Sequence, residues 1–186
     1  MKGPLVSLML ERAIAVVRRL AFRKIEIEAP RKTAGFHDEG ERSSDERDHV
    51  SVCICTYKRP LLLTRALDGL RSQITEPSFT FDVVITDNDE NGSAEPIARQ
   101  FREQGALKVI YDIEPVKSIA LARNRSIQNS TGNLVAFIDD DEFPAEDWLT
   151  RMRRCLKDHQ ADGVLGPVLP HFPSGSPKWL LESGLC

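Results

Sequence analysis

The chain has 186 residues, which is enough for one domain with a buried core. A hydrophobic fraction of 41% and a charged fraction of 28% are typical of a soluble globular protein, and a net charge of −3 argues against a nucleic-acid binder. No apolar run approaches the ~20 residues that span a bilayer. The four cysteines include no CxxC pair, which argues against a metal or redox site and favours reduced thiols in a cytosolic protein.

The N-terminal segment differs in composition from the rest of the chain. Residues 1–30 are apolar and basic and predict one helical unit, a basic amphipathic helix. Such a helix would make a peripheral contact with the inner face of the plasma membrane; the alternative is a leader or an appended helix that packs on the domain. Residues 31–48 are polar and acidic and predict a linker, so the globular domain is expected over 49–186.

Beyond the linker, apolar β-branched runs alternate with segments of helical periodicity. Strands are predicted over 50–56, 81–86, 107–111, 134–138 and 164–169. Four helices are predicted between these strands. The first begins at Pro60 and turns Leu63, Ala66, Leu67 and Leu70 inward; the second runs from a Ser93 cap through Gln104. The third runs from a Ser118 cap to about Ser130, and the fourth begins at Pro144 with Trp148, Met152, Cys155 and Leu156 on one stripe. This alternation predicts an α/β fold with a Rossmann-like, mostly parallel sheet and helices on both faces.

Polar clusters follow three of these strands. They are the runs 56–59, 87–89 and 139–141. Parallel sheets bind ligands at the carboxyl ends of their strands, so the three clusters are expected to converge where a nucleotide would sit.

The run Asp139-Asp140-Asp141-Glu142 directly follows an apolar strand. Adjacent carboxylates repel each other, so a cation explains the run better than packing does. Because alternate side chains of a strand share a face, Asp139 and Asp141 are expected to point the same way and to suit one divalent metal that bridges to a phosphate. The alternative is an acidic turn that caps the next helix.

Four further residues are candidates for a ligand site. Asp87 could accept a hydrogen bond from a base or ribose, or serve as a turn residue. Tyr57 could pack on a flat base, or be a surface aromatic. Arginine suits phosphate geometry, and since Arg123 and Arg125 do not share a helix face, Arg123 is expected in the cleft and Arg125 in a surface ion pair. Lys117 could also reach a phosphate.

The stretch from residue 50 to about 170 resembles the inverting glycosyltransferases of family 2, which have the GT-A fold. The residues that carry the resemblance are Val52-Cys53-Ile54-Cys55-Thr56-Tyr57-Lys58-Arg59-Pro60, Val83-Val84-Ile85-Thr86-Asp87-Asn88-Asp89, Ala122-Arg123-Asn124-Arg125 and Phe137-Ile138-Asp139-Asp140-Asp141-Glu142. Within the family the chain is similar to bacterial enzymes that build exopolysaccharide, such as succinoglycan-type glucosyltransferases.

The resemblance implies a role for each matching residue. Thr56 and Tyr57 would line a uracil pocket and Asp87 would hydrogen-bond the base. Arg123 would lie near the diphosphate, and Asp139 and Asp140 would contact the ribose and the donor sugar. Asp141 would bind Mn²⁺ or Mg²⁺. The residue pattern and the resemblance together predict the donor-binding residues Thr56, Tyr57, Arg59, Asp87, Lys117, Arg123, Asp139 and Asp140.

The implied function is transfer of a sugar from a UDP-sugar to a saccharide or lipid-linked acceptor in bacterial polysaccharide synthesis, in the cytoplasm. An inverting transferase also needs a general base, and no downstream acidic residue lies in a convincing acceptor motif. A C-terminally truncated chain is therefore expected. The alternatives are a nucleotide-sugar-binding fragment without catalysis and a metal-dependent nucleotidyltransferase, which the absence of glycine from residues 56–60 disfavours.

Overall fold

The computed structural model describes residues 14–18, 47–172 and 174–181. They form one six-stranded sheet. Its strands are β1 (Ile14–Arg18), β2 (Asp48–Thr56), β3 (Phe79–Asp87), β4 (Val109–Ile113), β5 (Leu134–Phe137) and β6 (Gly163–Gly166). The strand order is β4-β3-β2-β5-β1-β6. The four strands β4, β3, β2 and β5 pair in parallel, and β1 runs antiparallel to both of its neighbours. The predicted α/β architecture with a mostly parallel sheet is confirmed.

Helices cover both faces of this sheet. They are α1 (Pro60–Arg71), α2 (Glu95–Glu103), α3 (Ile119–Asn129), α4 (Trp148–Asp158) and α5 (Lys178–Leu181). Apolar side chains of α1, α2 and α4 share one core cluster with β2 and β3. On the other face, Cys53 contacts Ser130 at 3.3 Å and Thr86 contacts Ser126 at 2.7 Å, which seats α3 against β2 and β3. None of the helices in the described part of the chain has the length and apolar character needed to cross a membrane.

The main core lies between the sheet and the helices α1, α2 and α4. Leu63, Leu67 and Leu70 are fully buried there, as their spacing predicts. Burial of each such side chain stabilises the fold by roughly 1.5–3 kcal/mol before conformational entropy is counted. Because the central strands are buried on both faces, their sequences read as continuous apolar runs rather than as alternating ones.

Residues 14–18 correct the helix predicted over residues 1–30. The structure places Ile14–Arg18 as a strand between β5 and β6, with Ala15 opposite Phe137 on one side and opposite Leu165 on the other. Pairing on both edges satisfies the backbone groups of this β-branched stretch, so tertiary context overrides the helical periodicity. The rest of the predicted helix and most of the linker lie outside the described residues, and Asp48 of the predicted linker is already the first residue of β2.

Two predicted helix starts are also wrong. The N-cap of α2 is Ala94 rather than Ser93, and the buried Asp87 carboxylate accepts a hydrogen bond of 2.6 Å from the Ala94 amide, so no hydroxyl cap is needed. The last long helix begins at Trp148 rather than Pro144, and its N-cap is Asp147. Cys155 is exposed and Leu149 takes its place on the buried stripe. The Ser118 cap is confirmed, since its side chain accepts from the Leu121 amide.

Candidate functional site: a cleft at the carboxyl ends of the strands

One cleft of about 350 Å³ opens at the carboxyl ends of the parallel strands. Its size falls in the range of pockets that hold small organic ligands. All three polar clusters that the sequence singled out contribute to it. Its lining residues are Cys55, Thr56, Tyr57, Arg59, Asn88, Lys117, Ser118, Ile119, Arg123, Asp139, Asp140 and Asp141.

The acidic run is a turn, not the end of a strand. Strand β5 stops at Phe137, and the Glu142 carboxylate accepts a hydrogen bond of 2.9 Å from the Asp139 amide while the Glu142 amide donates to the Asp139 carbonyl. The strand alternation invoked for Asp139 and Asp141 is therefore wrong, although both residues still line the cleft. The run does not cap a helix either, because α4 begins at Trp148, six residues after Glu142, and its N-cap is Asp147. Residues 139–142 are called the acidic turn below.

Asp140 is the most buried carboxylate of the cleft, with 4% of its surface exposed. Its two oxygens accept hydrogen bonds from the Thr56 hydroxyl at 2.7 Å and from the Arg59 guanidinium at 3.1 Å. Burial raises the pKa of Asp140 above its ordinary value, and the bonds from Thr56 and Arg59 only partly offset that rise. A charged Asp140 is therefore incompletely compensated by the protein, which favours the approach of a further cation or hydrogen-bond donor.

Two arginines lie against the carboxylates of the acidic turn. Arg59 bridges Asp140 and Asp141, at 3.1 and 3.3 Å. Arg123 reaches Asp139 from α3 at 3.4 Å. Both guanidinium groups are about half exposed, so they can contact an anionic ligand while they remain near the carboxylates. Carboxylates next to exposed arginines suit a ligand that carries both a phosphate and a hydroxyl or metal.

Arg125 takes the other role expected from its spacing. It forms an ion pair with Asp112 at 2.6 Å and lies 3.7 Å from Glu114, away from the cleft. The Asp112 pKa is lowered from its ordinary value, first by the hydrogen bond from Arg125. Arg125 therefore ties α3 to β4, whereas Arg123 faces the ligand space.

The aromatic residue among the described lining residues of the cleft is Tyr57. The ammonium of Lys117 lies 4.3 Å from the centre of the Tyr57 ring, and that of Lys58 lies 5.2 Å from it. Lys58 has φ of 55°, a left-handed conformation that is uncommon for a residue with a side chain. Such backbone strain is typical of functional turns, and here it turns the chain sharply between Tyr57 and Arg59.

Asp87 is not among the residues that line the cleft, and its predicted contact with a ligand stays a prediction. Its side chain is fully buried and accepts hydrogen bonds from the Asp89 amide, the Ala94 amide and the Tyr111 hydroxyl. In the structure this carboxylate holds the start of α2. The next residue, Asn88, is the one that reaches the cleft. The sequence pattern missed Asn88, and its only signal was its place inside the polar run 87–89.

The carboxylates of the cleft fit a divalent cation that is shared with a bound ligand. Among the residues that the structure describes, no three His, Cys, Asp or Glu side chains are grouped to hold a metal ion. Mg²⁺ in nucleotide enzymes commonly takes one or two carboxylates from the protein and the remaining oxygens from phosphates and water. Asp141, whose side chain is 22% exposed at the cleft, fits that chemistry as a single hard ligand.

Comparison with known proteins identifies a family. The sequence model described as Glycosyl transferase family 2 matches residues 51–184. The chain is 35% identical over 136 residues to the succinoglycan biosynthesis protein ExoM of Rhizobium meliloti, which covers 73% of this chain and 44% of that protein. It therefore spans less than half of the length of this curated relative.

Solved structures share the fold. The mannosyltransferase PcManGT of Pyrobaculum calidifontis, solved with GDP-Man and Mn²⁺, superposes with a TM-score of 0.53 at 25% identity and covers 60% of this chain and 33% of its own. TarS of S. aureus, residues 1–349 in complex with UDP-GlcNAc, superposes with a TM-score of 0.53 at 22% identity. The match covers 60% of this chain and 32% of the TarS chain. The sheet described above is thus that of the GT-A glycosyltransferases.

Proposed function

Because this chain belongs to glycosyl transferase family 2, we propose that it uses a UDP-sugar and a divalent metal to transfer a sugar, with inversion, to a saccharide or lipid-linked acceptor in bacterial polysaccharide synthesis. The likeness to ExoM supports the polysaccharide context. The proposed site of action is the cytoplasm, at the inner face of the plasma membrane, where a lipid-linked acceptor would be available.

The observation that carries the proposal is the juxtaposition of the acidic turn with exposed cations in one cleft. Asp139, Asp140 and Asp141 lie on one side, and Arg59 and Arg123 pair with them. A nucleoside diphosphate bound with a metal presents a matching pattern, since it offers anionic oxygens to the arginines and a cation to the carboxylates.

The cleft divides into three parts for such a donor. Tyr57 and Thr56 form the wall for the base, and Lys117 stands beside them. Arg123 lies where a diphosphate would be bound. Asp139 and Asp140 face the ribose and the donor sugar, and the hydrogen bond from Arg59 favours the ionised form of Asp140.

Asp141 is the proposed ligand of Mn²⁺ or Mg²⁺. When bound there, the metal acts as a Lewis acid that stabilises the negative charge developing on the departing diphosphate. The chain's own part is to hold the leaving group in place with Arg123 and Lys117, so that less reorganisation is needed in the transition state.

The proton of the acceptor hydroxyl needs a general base. The carboxylates among the described lining residues of the cleft are those of the acidic turn, and we assign them to the donor and the metal. This is the observation that favours the second candidate, a module that binds a nucleotide sugar without transferring it. The third reading, a nucleotidyltransferase, is set aside by the family match.

Calorimetric titration with UDP tests the proposal. We expect UDP to bind in the presence of Mn²⁺ and to bind much more weakly after the metal is chelated, with GDP weaker than UDP. An absence of UDP binding in both conditions would contradict the proposed donor. Release of UDP from UDP-glucose in the presence of an added saccharide acceptor would separate a transferase from a binding module.

A further inference from the structure

The residue Asn88 connects three strand ends at the cleft. Its backbone amide donates a hydrogen bond of 2.8 Å to the Thr56 carbonyl at the end of β2. Its side-chain NH₂ group donates hydrogen bonds of 2.8 and 2.7 Å to the carbonyls of Glu114 and Val116. Its side-chain oxygen accepts a hydrogen bond of 2.9 Å from the Ser118 backbone amide. Asn88 therefore ties the segment 114–118, which joins β4 to α3, to the ends of β2 and β3.

The chemistry of this contact suits asparagine. Two carbonyl oxygens require two N–H donors and one amide N–H requires an acceptor, and a primary amide is the side chain that supplies both from one planar group. With 8% of its surface exposed, Asn88 has little water available to replace these bonds. An aspartate of the same shape would place a charged oxygen against two carbonyls.

The segment that Asn88 holds carries two parts of the cleft. Lys117 lies on it and contacts the Tyr57 ring. Ser118 ends it and caps α3, the helix that presents Arg123 to the acidic turn. Released from Asn88, this segment would have to be ordered again each time a ligand binds, which weakens binding.

We propose that Asn88 is a positioning residue that holds segment 114–118 in its binding conformation and acts through Lys117 and α3. The inference deepens the proposed function and rests on it for the identity of the ligand. Asn88 sets the affinity for the nucleotide by preorganising the wall that faces the base and the diphosphate.

The test uses Asn88→Asp with UDP and Mn²⁺ as the probe. We expect the affinity for UDP to fall at least about tenfold, because the loop must be ordered on binding. Asn133→Asp is the matched control, since Asn133 uses its amide in the same way, donating to Asp48 and accepting from His49, at the opposite end of the strands. That variant should lose stability and keep its affinity for UDP.

A double-mutant cycle with Lys117→Met separates positioning from general destabilisation. If Asn88 acts in part through Lys117, the two changes together weaken UDP binding by less than the product of the separate factors. The inference is overturned if the double variant weakens UDP binding by the full product of the two separate factors. It is also overturned if Asn88→Asp binds UDP as tightly as the wild-type chain. If Asn88→Asp does not fold, Asn88→Ala is measured against the same criteria.

Amide hydrogen exchange gives a readout that needs no ligand. We expect Asn88→Asp to speed exchange within 114–118 more than elsewhere in the fold. If exchange within 114–118 is the same in Asn88→Asp as in the wild-type chain, the inference is wrong. If the wild-type chain does not bind UDP, that result contradicts the proposed function and leaves this exchange test valid.

Discussion

Replacement of Asp141 by asparagine is expected to abolish the metal-dependent part of nucleotide binding. The change removes one negative charge from a side chain at the rim of the cleft and leaves its shape and its contact with Arg59 nearly intact. Because the proposed metal takes a single carboxylate from the protein, its loss should weaken Mn²⁺-dependent UDP binding by ~100-fold or more, which corresponds to about 2.7 kcal/mol. Calorimetry with and without Mn²⁺ measures the effect.

The control for this variant is Asp147→Asn. Asp147 is another partly exposed carboxylate that pairs with an arginine, Arg151, but it lies outside the cleft. The Asp147→Asn variant should bind UDP with the same affinity as the wild-type chain. Metal-dependent binding that survives Asp141→Asn would show that the metal is held elsewhere.

The largest effect on stability is expected from Gly132→Ala. A Cβ at this position would lie 2.8 Å from both the Leu134 carbonyl oxygen and the Ser51 amide nitrogen, and closer still to the His49 carbonyl oxygen. These are backbone atoms of β2 and β5 that cannot move without breaking the parallel pairing. We expect a loss of at least ~3 kcal/mol in the free energy of unfolding, measured by urea denaturation.

Gly166→Ala is the matched change for Gly132→Ala. The new methyl group would meet the Met152 sulfur at 3.2 Å, and a flexible thioether can move aside. Its cost should stay below about 1 kcal/mol. Equal losses from the two variants would contradict the close approach of residue 132 to β2.

The parallel part of the sheet and its helices could be predicted from the sequence because each of these elements has a pattern contained in one short segment. The helical spacing of Leu63, Leu67 and Leu70 and the Ser118 cap are properties of short segments. The edge position of residues 14–18 was not predictable in this way. That strand exists because β5 and β6 each offer an unpaired edge, and no window of sequence contains all three segments.

The candidate site was predictable as a region and less so as a set of side chains. Parallel topology brings the polar runs after β2, β3 and β5 together, so their convergence follows from the element order. Which residue of a turn faces the cleft depends on turn geometry, and here Asp87 is buried under α2 while Asn88 reaches the cleft. The pairing of Arg59 with Asp140 and Asp141 spans more than 80 residues and had no signal in the sequence.

The most direct test of the account is a crystal structure of the chain with UDP and Mn²⁺, with the metal located by its anomalous scattering. The account predicts the uracil against Tyr57, the diphosphate beside Arg123, and a manganese peak within bonding distance of the Asp141 carboxylate and the diphosphate. A nucleotide bound outside the cleft, or a manganese peak away from the acidic turn, would contradict it.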